Sequence, residues 1–251
     1  MPQPEGHKTS QQHWNDAWKT SIRMTLPNRL FVDILNFTRL MAKYVKPGDK
    51  YIEIGCAPGK LLSWVAAKLH AEVSGLDYSE EGIKSCQQLF KALDLPVKLY
   101  QEDLFDNSLP KQSFDIVTSF GVIEHFEDPR EAIEKHLELL KPGGVAIISI
   151  PNYSGIICSL QRWVDAKSLE LHNLEIMNPV NLANLVPYNE KYEVQAYRFG
   201  SLSPWLISWE KKLPRLLSKS LCCLLNFLGL LQPITIPTLC PIIVLEIKKA
   251  K

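Results

Sequence analysis

Three acids stand at the ends of three consecutive apolar runs, and their placement is the first sign of chemistry in this chain. Glu53 lies two residues before Gly55 in the run Tyr51-Ile-Glu-Ile-Gly55-Cys-Ala-Pro-Gly59-Lys60. Asp77 closes the second run and Asp103 follows the third. Ligands of open α/β sheets sit where strands end, so a glycine turn opening a helix is the expected cradle. A phosphate loop would show G-x-G-x-x-G or G-x-x-x-x-G-K-[ST], and neither is present. A carboxylate at Glu53 would repel a pyrophosphate but attract an ammonium or a sulfonium. Asp77 is placed to accept both hydroxyls of a ribose. Asp103 can accept from an adenine amino group, and Tyr78 offers a flat face to the ring.

A second constellation is Glu124-His125, just beyond a fourth apolar run at 114–120. An imidazole with an unperturbed pKa of about 6.5 suits proton removal near neutral pH. Glu124 is placed to orient it or stabilise its charge. The alternative is a histidine that only packs at the start of a loop.

The elements that must hold these residues are legible as alternating patterns. Strands are expected at 50–54, 72–77, 97–101, 114–120 and 145–150. Helices are expected at 28–45, 60–70, 79–93 and 128–140. Ser79 reads as an N-cap followed by Glu80 and Glu81, and Asp128-Pro129-Arg130-Glu131 as a capping box. Strands alternating with helices imply a parallel sheet covered on both faces. Residues 1–12 are polar and expected to fray, and 151–187 reads as irregular. A strand is expected at 192–199 and a last one at 240–248. Trp14 and Trp18 fall four apart on a short helix, either a lid over the site or an ordinary packed helix.

The chain has 251 residues, 28 Lys plus Arg against 27 Asp plus Glu, and a formal charge of +1. That balance offers no basic excess for nucleic acid. Six cysteines include no C-x-x-C pair, so a zinc site is poorly supported and the thiols are expected to be reduced. The greasiest run, 221–231, has 11 residues where a bilayer span needs about 20. No apolar leader opens the chain. A cytoplasmic protein, at most peripheral to a membrane, is expected. Residues 201–239 carry more apolar surface than one helix face hides. A hydrophobic substrate pocket, a homodimer interface, contact with a bilayer and plain core packing are the competing outcomes.

Residues 51–59, the Asp77 position, Asp103, FDIVTSFGVIEHFEDP at 114–129 and LKPGG at 140–144 together resemble the class I S-adenosylmethionine (SAM)-dependent methyltransferases. Within them they resemble the small-molecule branch that includes the ubiquinone-biosynthesis O-methyltransferases. The resemblance covers about residues 45–151. It implies a Rossmann-like α/β fold whose seven-stranded mixed sheet runs 3-2-1-4-5-7-6 with the last strand antiparallel. The single domain would comprise an N-terminal helical cap (1–45), a SAM-binding core (46–151), a substrate-side elaboration (152–239) and the final strand (240–251). The resemblance places Glu53, Gly55, Cys56, Ala57 and Gly59 around the methionine part. It places Asp77 at the ribose, Asp103 and Leu104 with Tyr78 at the adenine, and Ser119 and Phe120 at the amino-acid end.

Two departures sharpen the expectation. The Asp/Asn-Pro-Pro-aromatic signature of N-methylation is absent after the fourth strand. Gly121 stands where some relatives carry a metal-binding acid, so no metal is expected. The sequence thus favours O-methylation of a small, hydrophobic acceptor, S-adenosylhomocysteine being the spent cofactor. His125 is the candidate base, with Glu124 beside it. Asn152, Tyr153, Trp163 and His172 are the substrate-contact candidates, and the other histidines are assigned no chemistry. N- or C-methylation, a SAM-binding scaffold without turnover and an NAD-dependent oxidoreductase remain as alternatives. Glu53, Pro58 and the missing third glycine oppose the last.

Overall fold

A computed structural model describes residues 6–19, 23–232 and 235–251. Seven strands form one sheet in the order β3-β2-β1-β4-β5-β7-β6. They are β1 (Lys50–Ile54), β2 (Glu72–Leu76), β3 (Lys98–Tyr100), β4 (Phe114–Phe120), β5 (Leu140–Pro151), β6 (Tyr192–Phe199) and β7 (Ile242–Lys249). The first five run parallel, and β7 is antiparallel to both β5 and β6. This is the sheet the resemblance implied.

The period-2 alternation of each strand divides the core between the two faces. Ile52, Ile54, Val117, Ile148, Leu245 and Ile247 point to one side. Tyr51, Ile116, Ile147 and Val244 point to the other. The first side is covered by α5 (Arg130–Leu139) and α7 (Pro179–Ala183), the second by α2 (Val32–Tyr44), α3 (Lys60–Trp64) and α4 (Glu80–Ala92). Ser79 caps α4 as expected, its hydroxyl accepting from the Gly82 amide at 3.0 Å. α1 (Gln11–Trp18) lies against α4.

Three expectations need correction. Residues 151–187 are not irregular: α6 (Gly155–Glu170), kinked at Asp165, occupies much of the segment, and α7 follows. α6 is a weakly amphipathic helix that packs on other excursions from the sheet, so its periodicity is blurred. The N-terminus does not fray from residue 6. Ser10 caps α1 by accepting from the His13 amide, and residues 6–8 pair with 125–127 through Lys8 N–H to His125 O (2.7 Å) and Glu127 N–H to Gly6 O (2.8 Å). Residues 1–5 of that expectation lie outside the described residues. Finally, α2 starts at Val32, four residues later than the pattern suggested. No side chain in its own first turn caps it. Asn226 does so from α8 (Arg215–Leu231), accepting from the Val32 amide at 2.8 Å and donating to Leu30 O at 2.9 Å.

Candidate active site

The turn after β1 is built by backbone accounting. The Gly55 and Cys56 amides both donate to Leu76 O, at 2.8 and 3.2 Å. Asp77, at the end of β2, accepts from the Ala57 amide with one carboxylate oxygen (3.1 Å) and from the Ser79 amide with the other (2.9 Å). Asp77 therefore joins the cofactor turn to the start of α4 and keeps a free lone pair on each oxygen. Gly55 has φ +68°, and a Cβ there would meet Val122 at 2.5 Å. Only glycine permits that backbone at that approach.

The turn opens into a cavity at the carboxyl ends of the parallel strands, where ligands of open α/β sheets sit. Its floor is Ile54, Gly55 and Leu76, and one flank is Asp77, Tyr78, Glu102, Asp103, Leu104 and Phe105. The other flank is Gly121, Val122, His125 and Phe126, and the roof is His7, Thr9, Trp14 and Trp18. The two tryptophan rings are stacked with centroids 6.1 Å apart. Gln11 ties the roof to the Tyr78 carbonyl at 2.6 Å, and Asn15 accepts from the Ser79 hydroxyl at 2.8 Å.

Of the residues placed around the cofactor from the sequence, Gly55, Asp77, Tyr78, Asp103, Leu104, Trp14 and Trp18 line this cavity. The others support it from behind. Cys56 is buried with its sulfur 3.9 Å from that of Cys86, and Ala57 contributes its amide to Asp77. Gly59, at φ +84°, is the cap residue of α3. The Ser119 hydroxyl is turned to the buried His136 Nε2 at 2.9 Å, and Phe120 packs on Phe37. Burial drops His136 to a pKa of about 4, so it is a neutral partner. Glu53 lies behind the wall, buried, with one carboxylate oxygen lacking any partner. Burial, then the nearby Asp77, pushes its pKa well up. Burial likewise raises Asp77 to about 6.

The Glu124-His125 loop is clasped from both sides. Lys8 bonds its carbonyl from the N-terminus. From beyond α6, the Asn173 amide donates to Glu124 O (2.7 Å), and its side chain donates to Glu127 O (2.9 Å). His125 Nδ1 lies 2.8 Å from Leu171 O. A carbonyl only accepts, so Nδ1 carries the proton and Nε2 keeps its lone pair. Burial, then the neighbouring His172, lowers His125 to a pKa of about 3, so the ring is neutral at physiological pH. Glu124 is not hydrogen-bonded to His125; the Leu171 carbonyl orients the ring instead. Burial raises Glu124 to about 8, and one of its oxygens has no partner.

The His172 ring lies tilted at 45° against His125, with centroids 4.8 Å apart, and Tyr153 packs edge-on to His172 at 5.2 Å. Ligand atoms of Glu124, His125 and His172 all lie within 4.8 Å of one another, a donor set that suits a zinc-type ion. The pattern around Gly121 could not reveal this, because His172 is brought in by α6. Of the other substrate candidates, Asn152 is buried, donating to Cys240 O at 2.7 Å and accepting from Ser154 at 2.6 Å. Trp163 is 59% exposed beneath Lys212, away from the cavity. His7, assigned no chemistry from the sequence, forms part of the roof and packs edge-on to Phe126. Ser10, an N-cap residue type just before Trp14 and Trp18, is a local signal that this segment is ordered.

The family comparison falls on these same elements: a profile described as "Methyltransferase domain" matches residues 52–148. Residues 52–148 are a class I SAM-dependent methyltransferase domain. A ubiquinone biosynthesis O-methyltransferase of Proteus mirabilis is 33% identical over 107 residues, 42% of this chain and 43% of that protein. One of Coxiella burnetii is 26% identical over 201 residues, 78% of this chain and 75% of its own length. A solved structure of the plantazolicin methyltransferase BpumL, in complex with S-adenosylhomocysteine, shares the fold. Its TM-score is 0.56 at 19% identity, covering 88% of this chain and 83% of that one. The cofactor of the methyltransferase domain is SAM, and the site fits it. Stacked indoles roof an acid-flanked cavity, and the unpartnered buried oxygen of Glu53 lies behind the cradle.

Proposed function

We propose that this protein methylates a hydroxyl oxygen of a small, largely apolar acceptor, with His125 taking the proton. One observation carries the reading: a cavity-lining imidazole is fixed by a main-chain carbonyl in the tautomer that leaves Nε2 unprotonated. When bound, SAM supplies an activated methyl group on a sulfonium. Asp77, Asp103 and the Tyr78 face hold its nucleoside half, and Trp14 and Trp18 close over it and exclude water. His125 would accept the hydroxyl proton at Nε2 as the oxygen–carbon bond forms and the sulfur–methyl bond breaks, the neutral thioether leaving. Alignment of the reacting groups supplies most of the acceleration, roughly 7–11 kcal/mol in well-oriented systems. The names of the curated relatives favour oxygen as the acceptor atom.

The test is transfer of labelled methyl from SAM to a panel of phenols, catechols, carboxylic acids and amines. Label on phenolic or catecholic oxygen supports the reading. Label on amines alone overturns it, and SAM binding without transfer to any class indicates a scaffold. The Glu124, His125 and His172 cluster favours a second reading, in which a divalent ion lowers the acceptor's pKa. Activity that survives exhaustive chelation assigns the proton to free His125. Loss restored by zinc or magnesium assigns it to the ion.

Asp77→Asn should weaken SAM binding by about 1–3 kcal/mol, the cost of leaving buried partners badly paired. The wild-type affinity should also depend on pH. Hydroxyl donors favour the ionised carboxylate, so affinity should fall about tenfold per unit below pH 6 and level off above it. Titration calorimetry reads both, and a flat pH dependence with unchanged D77N affinity would remove the ribose assignment.

A further inference from the structure

We infer that the outward face of α8 docks this protein on an anionic lipid surface. The helix is amphipathic in the inverted sense for a water-exposed element. Only its small residues are fully covered: Ser218 and Gly229 are buried, and Leu221, Cys222, Leu225 and Leu230 are half-buried. Gly229 sits so close to its neighbours that a Cβ would fall 1.9 Å from Leu202 O. Its large side chains face away: Leu216 (76% exposed), Leu217, Leu224, Phe227 (57%), Leu228 and Leu231 (63%). On a helical projection these six fill one continuous arc with no charge in it. Asn226 fastens the segment of Leu30 and Phe31, 69% and 57% exposed, to the flank of α8. A contiguous apolar patch of this kind marks an interaction surface.

Charge selects the occupant. α8 contains no acid. Arg215 and Lys219 stand four apart on one flank of the arc, and Lys212 precedes the helix, its neighbour Lys211 being paired with Asp165. Trp163, under Lys212, and Trp205 are exposed aromatic groups beside the same region, the residue type that settles at lipid–water boundaries. A second copy of the chain would cover the leucines but bring another acid-free basic edge with it, whereas anionic headgroups neutralise that edge. No described helix is long and apolar enough to cross a membrane, so α8 would lie in the plane of the interface with its apolar face in the acyl region. This docking does not depend on which atom the protein methylates.

The full chain should float with phosphatidylcholine–phosphatidylglycerol vesicles, more weakly in high salt, and bind pure phosphatidylcholine less well. Phe227→Glu with Leu224→Glu should lower vesicle affinity at least about tenfold. Arg215→Glu or Lys219→Glu should lower it about fivefold per charge, on anionic vesicles only. SAM affinity, measured by calorimetry on the same preparations, should stay at the wild-type value, which shows the variants to be folded. Wild-type protein that stays soluble with both vesicle types overturns the inference, as does equal binding to both. A dimer in sedimentation equilibrium that Phe227→Glu turns into monomer, without vesicle binding by either, gives the face to a second copy and also overturns it.

Discussion

His125→Ala is expected to lower turnover by about 10²–10⁴-fold, the range for removing a positioned base, while SAM affinity is retained. The pH dependence gives the sharper signature. His125 is neutral throughout the physiological range because burial and His172 hold it near 3, so its own protonation cannot produce an inflection near 6.5. Glu124 is the group that changes charge, near 8. Its ionisation puts a negative charge within 4.8 Å of the imidazole and favours the imidazolium that forms as the acceptor loses its proton. Turnover should therefore rise with pH through about 8 and level off above it. Glu124→Gln should flatten that rise and lower the plateau. A single-turnover assay across pH checks both variants; full activity of H125A, or an unchanged profile in E124Q, would be incompatible with this pair acting on the proton.

Gly55→Val should remove SAM binding almost entirely. The residue sits at φ +68°, where a non-glycine residue costs about 1–2 kcal/mol and a β-branched one is a genuine outlier. Its new side chain would also meet Val122 at the position where a Cβ already stands 2.5 Å away; overpacking of that sort costs about 1–3 kcal/mol. Together these are about 2–5 kcal/mol, between roughly 30-fold and a few thousandfold in affinity. Gly55→Ala, carrying the strain with less of the clash, should fall between wild type and G55V. Calorimetry with SAM, beside a thermal melt to show the sheet intact, separates the effect on the site from one on folding. Equal affinity in all three proteins would mean that the turn after β1 is not the cradle.

The sequence by itself determined the alternating strands and helices of the core, the glycine turn after β1, the acids at Asp77 and Asp103, and the position of His125 beyond β4, while the order of the strands followed from the family resemblance. Those features are local: apolar runs, caps and turn residues act over a few positions, and a parallel sheet joined by helices has few possible topologies. Tertiary structure alone decided what surrounds them. It placed residues 6–9 over the cavity, brought Leu171 and His172 to His125, turned Ser119 toward His136, buried Asn152 as a clamp on Cys240, and left the leucines of α8 outward with Asn226 capping a helix almost two hundred positions away. Each of those is a contact between segments far apart in the chain. No periodicity encodes such a contact, because the energy that selects it, satisfaction of a buried carbonyl or burial of one apolar face against another, exists only once both segments are folded together.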